Sequence, residues 1–213
     1  MNFVTSWSGG KDSCYAMMRA VEQGFTPKVL LNMMNENGKI SRSHGLPLFI
    51  LNQQAQKMQL PIETVPATWS DYEEKFITIL KSLKAKYDLE AAVFGDIDLQ
   101  AHRDWEEKVC QAASLKAVLP LWQQDRIALV NEMIENGIET MIVSCNTIMG
   151  ESYLGEILTK DLALELLEKG IDPCGENGEF HTMVINCPLF SDKITLPAFT
   201  TTVHNDYCFV VWE

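Results

Sequence analysis

Hydrophobic and polar positions along this chain switch repeatedly between two patterns. Short apolar runs of strand length occur at Phe3–Trp7, Lys28–Met34, Ile62–Pro66, Ala91–Gly95 and Ala117–Leu119. Between them, apolar residues recur every three or four positions, which predicts helices over Lys11–Gln23, Leu46–Met58, Ser70–Lys86 and Ala101–Ala113. In the first helix Cys14, Met17, Met18 and Val21 form one face. In the third, Tyr72, Phe76, Ile79, Leu80 and Leu83 form another, and Ser70 with Glu73 reads as a capping box. This alternation predicts an α/β fold: a parallel five-stranded sheet with helices on both faces. Such sheets bind ligands beyond the carboxyl ends of their strands, at the topological switch point.

After Leu119–Trp122 the pattern changes. A helix is expected over Asp125–Asn136, stopped by Gly137, then a β-branched run at Ile138–Ser144. The stretch "NTIMGESYLGEIL" reads as a loop, and Lys160–Lys169 as a helix closed by Gly170. The tail carries three strand signals, "EFHTMVI", "ITLPAFTTTVHN" and "CFVVWE". Two units follow from this: a nucleotide-type α/β domain over residues 1–122 and a smaller C-terminal α+β lobe over residues 123–213.

Composition narrows the function class. The net charge is −12, from 29 acidic and 17 basic residues, so the chain lacks the phosphate-neutralising surface on which nucleic-acid affinity depends. No apolar run approaches the roughly 20 residues of a membrane helix, and no basic region followed by an apolar core marks a signal peptide. The six cysteines are scattered without a C-x-x-C pair, as in proteins of a reducing cytoplasm. Cys14, Cys110 and Cys208 lie on apolar faces and are expected in the core; Cys174 and Cys187 flank a polar segment and are expected near it.

The candidate chemistry begins at "TSWSGGKDSC", the turn between the first strand and the first helix. A helix N-terminus offers free N–H groups and a partial positive charge to an anion. Gly9 and Gly10 let the backbone close round a phosphate, Ser8 and Ser13 add hydroxyls, Lys11 a cation and Asp12 a ligand for magnesium. Neither G-x-x-x-x-G-K-[ST] nor G-x-G-x-x-G is present. "SWSGGKDS" resembles the pyrophosphate loop of the N-type ATP pyrophosphatases. Together with "SRSHGLPL", "VFGDIDLQAHRDWEEKVC", "LPLW" and "CGENGEFHTMV" it resembles the diphthine–ammonia ligase family.

The resemblance implies an adenine-nucleotide α-hydrolase-like first domain, ATP and Mg2+ as cofactors, and a carboxylate activated as an acyl-adenylate, then attacked by ammonia. It also implies a cytoplasmic enzyme. The block "GDIDLQAHRDW" departs from the G-x-I-x-S-x-Y-Q-x-x-R of enzymes acting on diphthine and resembles a bacterial branch. The acceptor is therefore diphthine on elongation factor 2 where diphthamide is made, and otherwise a small carboxylate. Homodimerisation is open. Two other readings compete: a tRNA sulfur transferase of the same superfamily, and a non-catalytic adenine-nucleotide-binding protein. Acidic charge and the missing C-x-x-C speak against the first, and the polar "GENGEFHT" against the second.

Further site candidates follow the strand ends. Gly95 would admit the nucleotide, and Asp96 would face ribose or metal. His102, Trp105, Glu106 and Val109 share a helix face that reads as a pocket wall, while Arg103 is either a phosphate contact or a surface ion pair. His44 is either at the ligand edge or beside a helix cap made by Ser41 or Ser43; Arg42 is similarly open. Alternation places Glu179 and His181 on one strand face, where they would bind ammonia or take its proton, or form an ion pair. Glu176 is a weaker candidate. Asn146, Glu151 and Gly155 read as a loop facing the cleft.

Overall fold

The structure is a computed structural model that describes residues 1–213. Its first half runs β1 (Asn2–Ser6), α1 (Lys11–Glu22), β2 (Thr26–Met34), α2 (Leu48–Met58), β3 (Ile62–Pro66), α3 (Tyr72–Tyr87), β4 (Ala91–Val93), α4 (Gln100–Ala112) and β5 (Lys116–Val118). These strands form one parallel sheet in the order β3-β2-β1-β4-β5. Connections run one way from β1 through β2 to β3, and the other way through β4 to β5. The switch point therefore lies between β1 and β4, flanked by the turn after Ser6 and the loop after Val93.

Strand alternation divides the core into two layers. Phe3 and Leu30 pack with Cys14 and Met17 of α1 and Ile50 of α2. Val4 and Leu31 face the other side, with Phe76 and Leu80 of α3 and Val109 of α4. The second half runs α5 (Arg126–Glu135), β6 (Glu139–Asn146), α6 (Lys160–Glu168), β7 (Phe180–Asn186), β8 (Phe199–His204) and β9 (Tyr207–Trp212). Its antiparallel sheet has the order β7-β6-β9-β8, and Ile142, Phe180 and Val184 join the α1 side of the core. The two sheets thus share one apolar layer, which fixes β7 against the first turn of α1. No helix is long and apolar enough to cross a membrane.

The α/β expectation and the α+β second lobe are as the sequence predicts; two local expectations are not. The capping box at α3 does not form. Ser70 lies in the turn before the helix, its hydroxyl bonded to that of Thr68 at 2.8 Å. Glu73 is drawn away by the Trp105 indole and Lys108 of α4, at 3.0 and 2.6 Å. Nor does the loop after β6 face the cleft: the Asn146 side chain accepts from the Met149 amide at 2.8 Å, and Gly155 is covered by the ring of Phe199.

Candidate functional site

The turn after β1 is held by groups from three directions. Lys11 opens α1 and is 3 % exposed; its Nζ donates to Asp12 Oδ2 at 2.8 Å and to the Cys174 carbonyl at 2.5 Å. Burial works against its charge, but Asp12, Cys174 and Glu176 outweigh it and hold the ammonium above its ordinary pKa. Strand β7 runs alongside. Thr182 Oγ1 accepts from the Lys11 amide at 3.2 Å, and the Val184 amide donates to the Gly9 carbonyl at 2.8 Å. The fully buried Gln54 of α2 completes the stitching. Its Nε2 donates to the Gly9 and Val184 carbonyls at 3.0 and 2.9 Å, while its Oε1 accepts from the Trp7 indole at 2.9 Å. Gln54 was missed in the sequence, although it is a polar residue on the stripe that carries Ile50, Leu51 and Ala55.

Two glycines are required by contact. A Cβ on Gly10 would sit 2.3 Å from His44 Cε1, so the imidazole packs directly against this glycine. A Cβ on Gly95 would sit 2.7 Å from both the Asp12 carbonyl carbon and the Ser13 nitrogen. Gly95 therefore lets the β4 loop meet the start of α1 backbone to backbone, a packing requirement of the turn. It also lies beyond the strand, which ends at Val93.

The turn faces a cavity of about 660 Å³. Ser8, Lys11, Asp12 and Ser13 line its floor, with Gly9 and Gly10 buried beneath. Gly95, Asp96, His102, Trp105 and Glu106 form one wall, and His44, Glu176 and His181 the facing one. Asp96 Oδ1 meets His102 Nδ1 at 2.6 Å. Glu106 is buried beside them, and burial, then Asp96, pushes its carboxyl up to about 11. It is a neutral acid at pH 7 and can donate. Burial, with Asp12 beside it, raises Glu176 to about 8. The imidazoles shift the other way: burial lowers His44 to about 4, and burial with His44 and Lys11 lowers His181 to about 3. Their rings lie 4.7 Å apart, and His44 Nδ1 pairs with the Thr182 carbonyl at 2.8 Å.

One sequence expectation, that for Glu179, is corrected, and for Arg103 and His44 the structure separates the two readings. Arg103 is not at the cavity: its Nε donates to Glu107 Oε1 at 2.7 Å and its guanidinium lies over Trp122, because it sits on the outer face of α4. Glu179 does not share the cavity with His181. It precedes β7 rather than belonging to it, and its carboxylate accepts from the Asn177 amide at 3.1 Å and the Asn177 side chain at 3.0 Å. Glu176, on the same turn, is the carboxylate that reaches the cavity. His44 does not sit beside a serine cap of α2, whose N-cap is Pro47 with no side-chain cap bond. Of the cysteines, Cys174 lines the cavity, while Cys187 packs in the core close to Cys14.

A latch the sequence did not reveal holds the Cys174–Gly178 turn over the cavity. Arg126 grips Asp98 of the β4 loop with Nε and Nη2 at 2.8 and 2.7 Å, and its Nη1 pairs with Asp172. Asp172 in turn accepts the Cys174 and Glu176 amides, both at 3.0 Å. A lone arginine after "QQD" gave no signal of this, since its partners lie 28 and 46 residues away.

No cluster of three or more His, Cys, Asp or Glu side chains is arranged to hold a metal unaided. Asp12 is the exception in kind: its Oδ1 is buried without a partner, beside the turn that faces the cavity. A hard cation carrying further oxygen ligands of its own would satisfy it.

Family models match both halves of the chain: one described as the diphthamide synthase N-terminal domain over residues 1–117, and the corresponding C-terminal domain over residues 125–212. The chain is 29 % identical to the diphthine–ammonia ligase of Danio rerio, over 98 % of this chain and 91 % of that protein. It is 28 % identical to the human enzyme of the same name, over 93 % and 84 %. With the Schizosaccharomyces pombe enzyme identity is 30 % over 89 % of this chain, which spans 35 % of that longer protein. Among solved structures, one described as a predicted subunit of tRNA methyltransferase from Methanocaldococcus jannaschii aligns over 91 % of this chain and all of that one, with a TM-score of 0.48 and 15 % identity.

Proposed function

The chain belongs to the diphthamide synthase family, and we propose that it is an ATP-dependent ligase that joins ammonia to a substrate carboxylate through an acyl-adenylate. The observation that carries this reading is the buried, charged Lys11 at the head of a helix whose first turn faces a 660 Å³ cavity. A triphosphate is an anion that the first turn of a helix and a buried ammonium at its head can hold together.

In this reading the carboxylate oxygen of the acceptor bonds to the α-phosphorus of ATP while the bond to pyrophosphate breaks. Lys11 and the free amides of the turn stabilise the charge that builds on the leaving group, which is worth most in a site with little water. Ammonia then attacks the carbonyl carbon, the C–N bond forms, and the C–O bond to AMP breaks. Glu176, raised to about 8, takes the proton the nitrogen loses, since a base near the working pH serves best. The neutral His181 accepts a hydrogen bond from ammonia without competing for that proton. Asp12 would hold a magnesium ion through its free oxygen, and such an ion would offset phosphate charge. A diphthine-type carboxylate is the acceptor class that the relatives' names suggest.

The deciding experiment supplies ATP, magnesium, ammonium and candidate carboxylates, with Lys11→Met as control. Acceptor-dependent AMP and pyrophosphate, lost in the variant, support the reading. Formation of ADP and phosphate sinks it.

A further inference from the structure

The antiparallel sheet of the second half has two edges, and they differ in what covers them. At the β7 edge the Val184 amide donates to the Gly9 carbonyl at 2.8 Å and Thr182 Oγ1 accepts from the Lys11 amide, so the first turn of α1 lies against it. The other edge, β8, pairs with β9 alone. We propose that β8 is a homodimer interface, in which two copies of this chain pair their β8 strands antiparallel about a two-fold axis at Thr201.

The β8–β9 ladder fixes which main-chain groups are free. The Glu213 amide donates to the Ala198 carbonyl directly opposite at 3.0 Å, and the register runs unbroken from there, with Phe199 facing Trp212 and Thr201 facing Val210. Along an antiparallel pair, residues that exchange hydrogen bonds alternate with residues whose groups point away. Ala198, Thr200 and Thr202 therefore turn their N–H and C=O groups to β9, and Phe199, Thr201 and Val203 turn theirs to the open edge. No backbone group of a loop meets them there, and every residue of the strand is exposed. Natural sheet edges are blunted against further pairing by charge, proline or shortness. The parallel sheet follows that rule: β3 carries Glu63, paired with Lys86, and ends on Pro66, while β5 is three residues long and opens on Lys116. Strand β8 has none of these devices. It reads Phe-Thr-Thr-Thr-Val-His, with Phe199 36 % and Val203 55 % exposed.

A second copy is the occupant that this edge fits. With the axis at Thr201, the amide and carbonyl of Thr201 meet those of Thr201 in the second copy. Phe199 meets Val203 of the second copy at both ends, so every outward N–H finds an outward C=O. The same register sets each exposed Phe199 ring across from a Val203 side chain, and an aromatic against a β-branched residue is a favourable cross-strand pair. One patch meeting itself is what a two-fold interface requires. Charge points the same way. Each copy carries a net charge of −12 and repels another copy over much of its surface, but no acidic residue stands between Asp192 and Asp206. A peptide of another sequence would find the same main-chain groups without the Phe199–Val203 match at both ends.

The test is sedimentation of the full chain over a range of concentrations, without nucleotide, so that association is decided separately from the ligase reading. The mass should rise from that of a 24.1 kDa monomer to twice that value, with a Kd on the order of micromolar for an interface of this small size. Thr201→Pro removes an outward donor while leaving the β9 ladder intact, and should weaken association by about tenfold or more with an unchanged thermal melt. Thr201→Lys and Thr201→Glu each set like charges across the axis and should each weaken association about fivefold. Mixing these two variants sets opposite charges across it and should restore the affinity of the unmodified chain, which a damaged fold would not do. A monomer at every concentration overturns the proposal, and so does a dimer that a folded Thr201→Pro chain retains. Should the proline variant fail to fold, the charged pair decides: recovery on mixing supports the interface, and equal association of the two variants alone and mixed overturns it.

Discussion

Replacing Gly95 by alanine adds one methyl group where the backbone of the β4 loop meets the start of α1. Ordinary contact begins near 3.4 Å, and the new Cβ would lie 2.7 Å from two backbone atoms of Asp12 and Ser13, so one side must retreat by about 0.7 Å. Gly95 does not use a positive φ, so alanine meets no backbone strain there and the effect is steric alone. The atoms that must yield are backbone, pinned by the Thr182, Val184 and Gln54 hydrogen bonds. Overpacking of this kind typically costs 1–3 kcal/mol, which lowers Tm by roughly 2–12 °C for a chain of this size. The displaced residues are those proposed to hold phosphate, and misplacement approaching an ångström costs on the order of 100-fold in rate. The assay pairs thermal melting with AMP formation under saturating ATP. A variant with unchanged Tm and unchanged turnover would refute the argument that this contact positions the turn.

Four further outcomes are expected. Lys11→Met should abolish AMP formation while leaving the fold, because the desolvated charge it removes is offset by Asp12 and the Cys174 carbonyl at the cavity itself; a stability loss above roughly 5 kcal/mol would instead mark it as structural. Glu176→Gln should remove a pH-dependent weakness: with its folded pKa raised to about 8, the acid costs stability increasingly as pH rises from about 4.5 to 8, so the variant should melt higher than the unmodified chain at pH 8.5 and equally at pH 4.5. His44 and His181 act at the other end, since imidazoles neutral in the fold withhold stability as pH falls from about 6.5 toward 4; a His181→Gln chain should show a shallower acid melt, and identical curves would refute it. Arg126→Met should free the Cys174–Gly178 turn and cut kcat/KM by roughly 10- to 100-fold, with faster amide exchange confined to that turn as the confirming signal.

The sheet was legible because each strand and helix declares itself locally. The β2 run, the α1 face and the α3 stripe all fall within one residue or two of their predicted bounds. The position of the glycine turn between β1 and α1 was legible for the same reason: its glycines, lysine and serines are contiguous. What failed was inference across a turn. Alternation paired Glu179 with His181, but the strand begins at Phe180, so Glu179 follows the geometry of the turn and serves Asn177 instead. The close approach of α1 to Gly95 was not legible, because nothing local to Gly95 says that α1 presses on it. Gln54, Arg126 and Asp172 act only through partners distant in sequence, and no spacing rule reaches them.

That division has a consequence for how the site is made. The turn after β1 is the one proposed to carry the chemistry, but nearly every group that holds it still comes from elsewhere: Gln54 from α2, Thr182 and Val184 from β7, Cys174 through Arg126 and Asp172. The Lys11 ammonium has its carbonyl partner only when the second lobe is docked, because Cys174 lies in the turn before β7. Residues 1–118 hold every strand of the parallel sheet, but they cannot by themselves present Lys11 in the state that the proposed chemistry needs. A charged lysine with no partner for its remaining protons would draw in water or fold back on Asp12, and the dry site would be lost. The second lobe is thus part of the proposed nucleotide site, in addition to any part it takes in holding the acceptor.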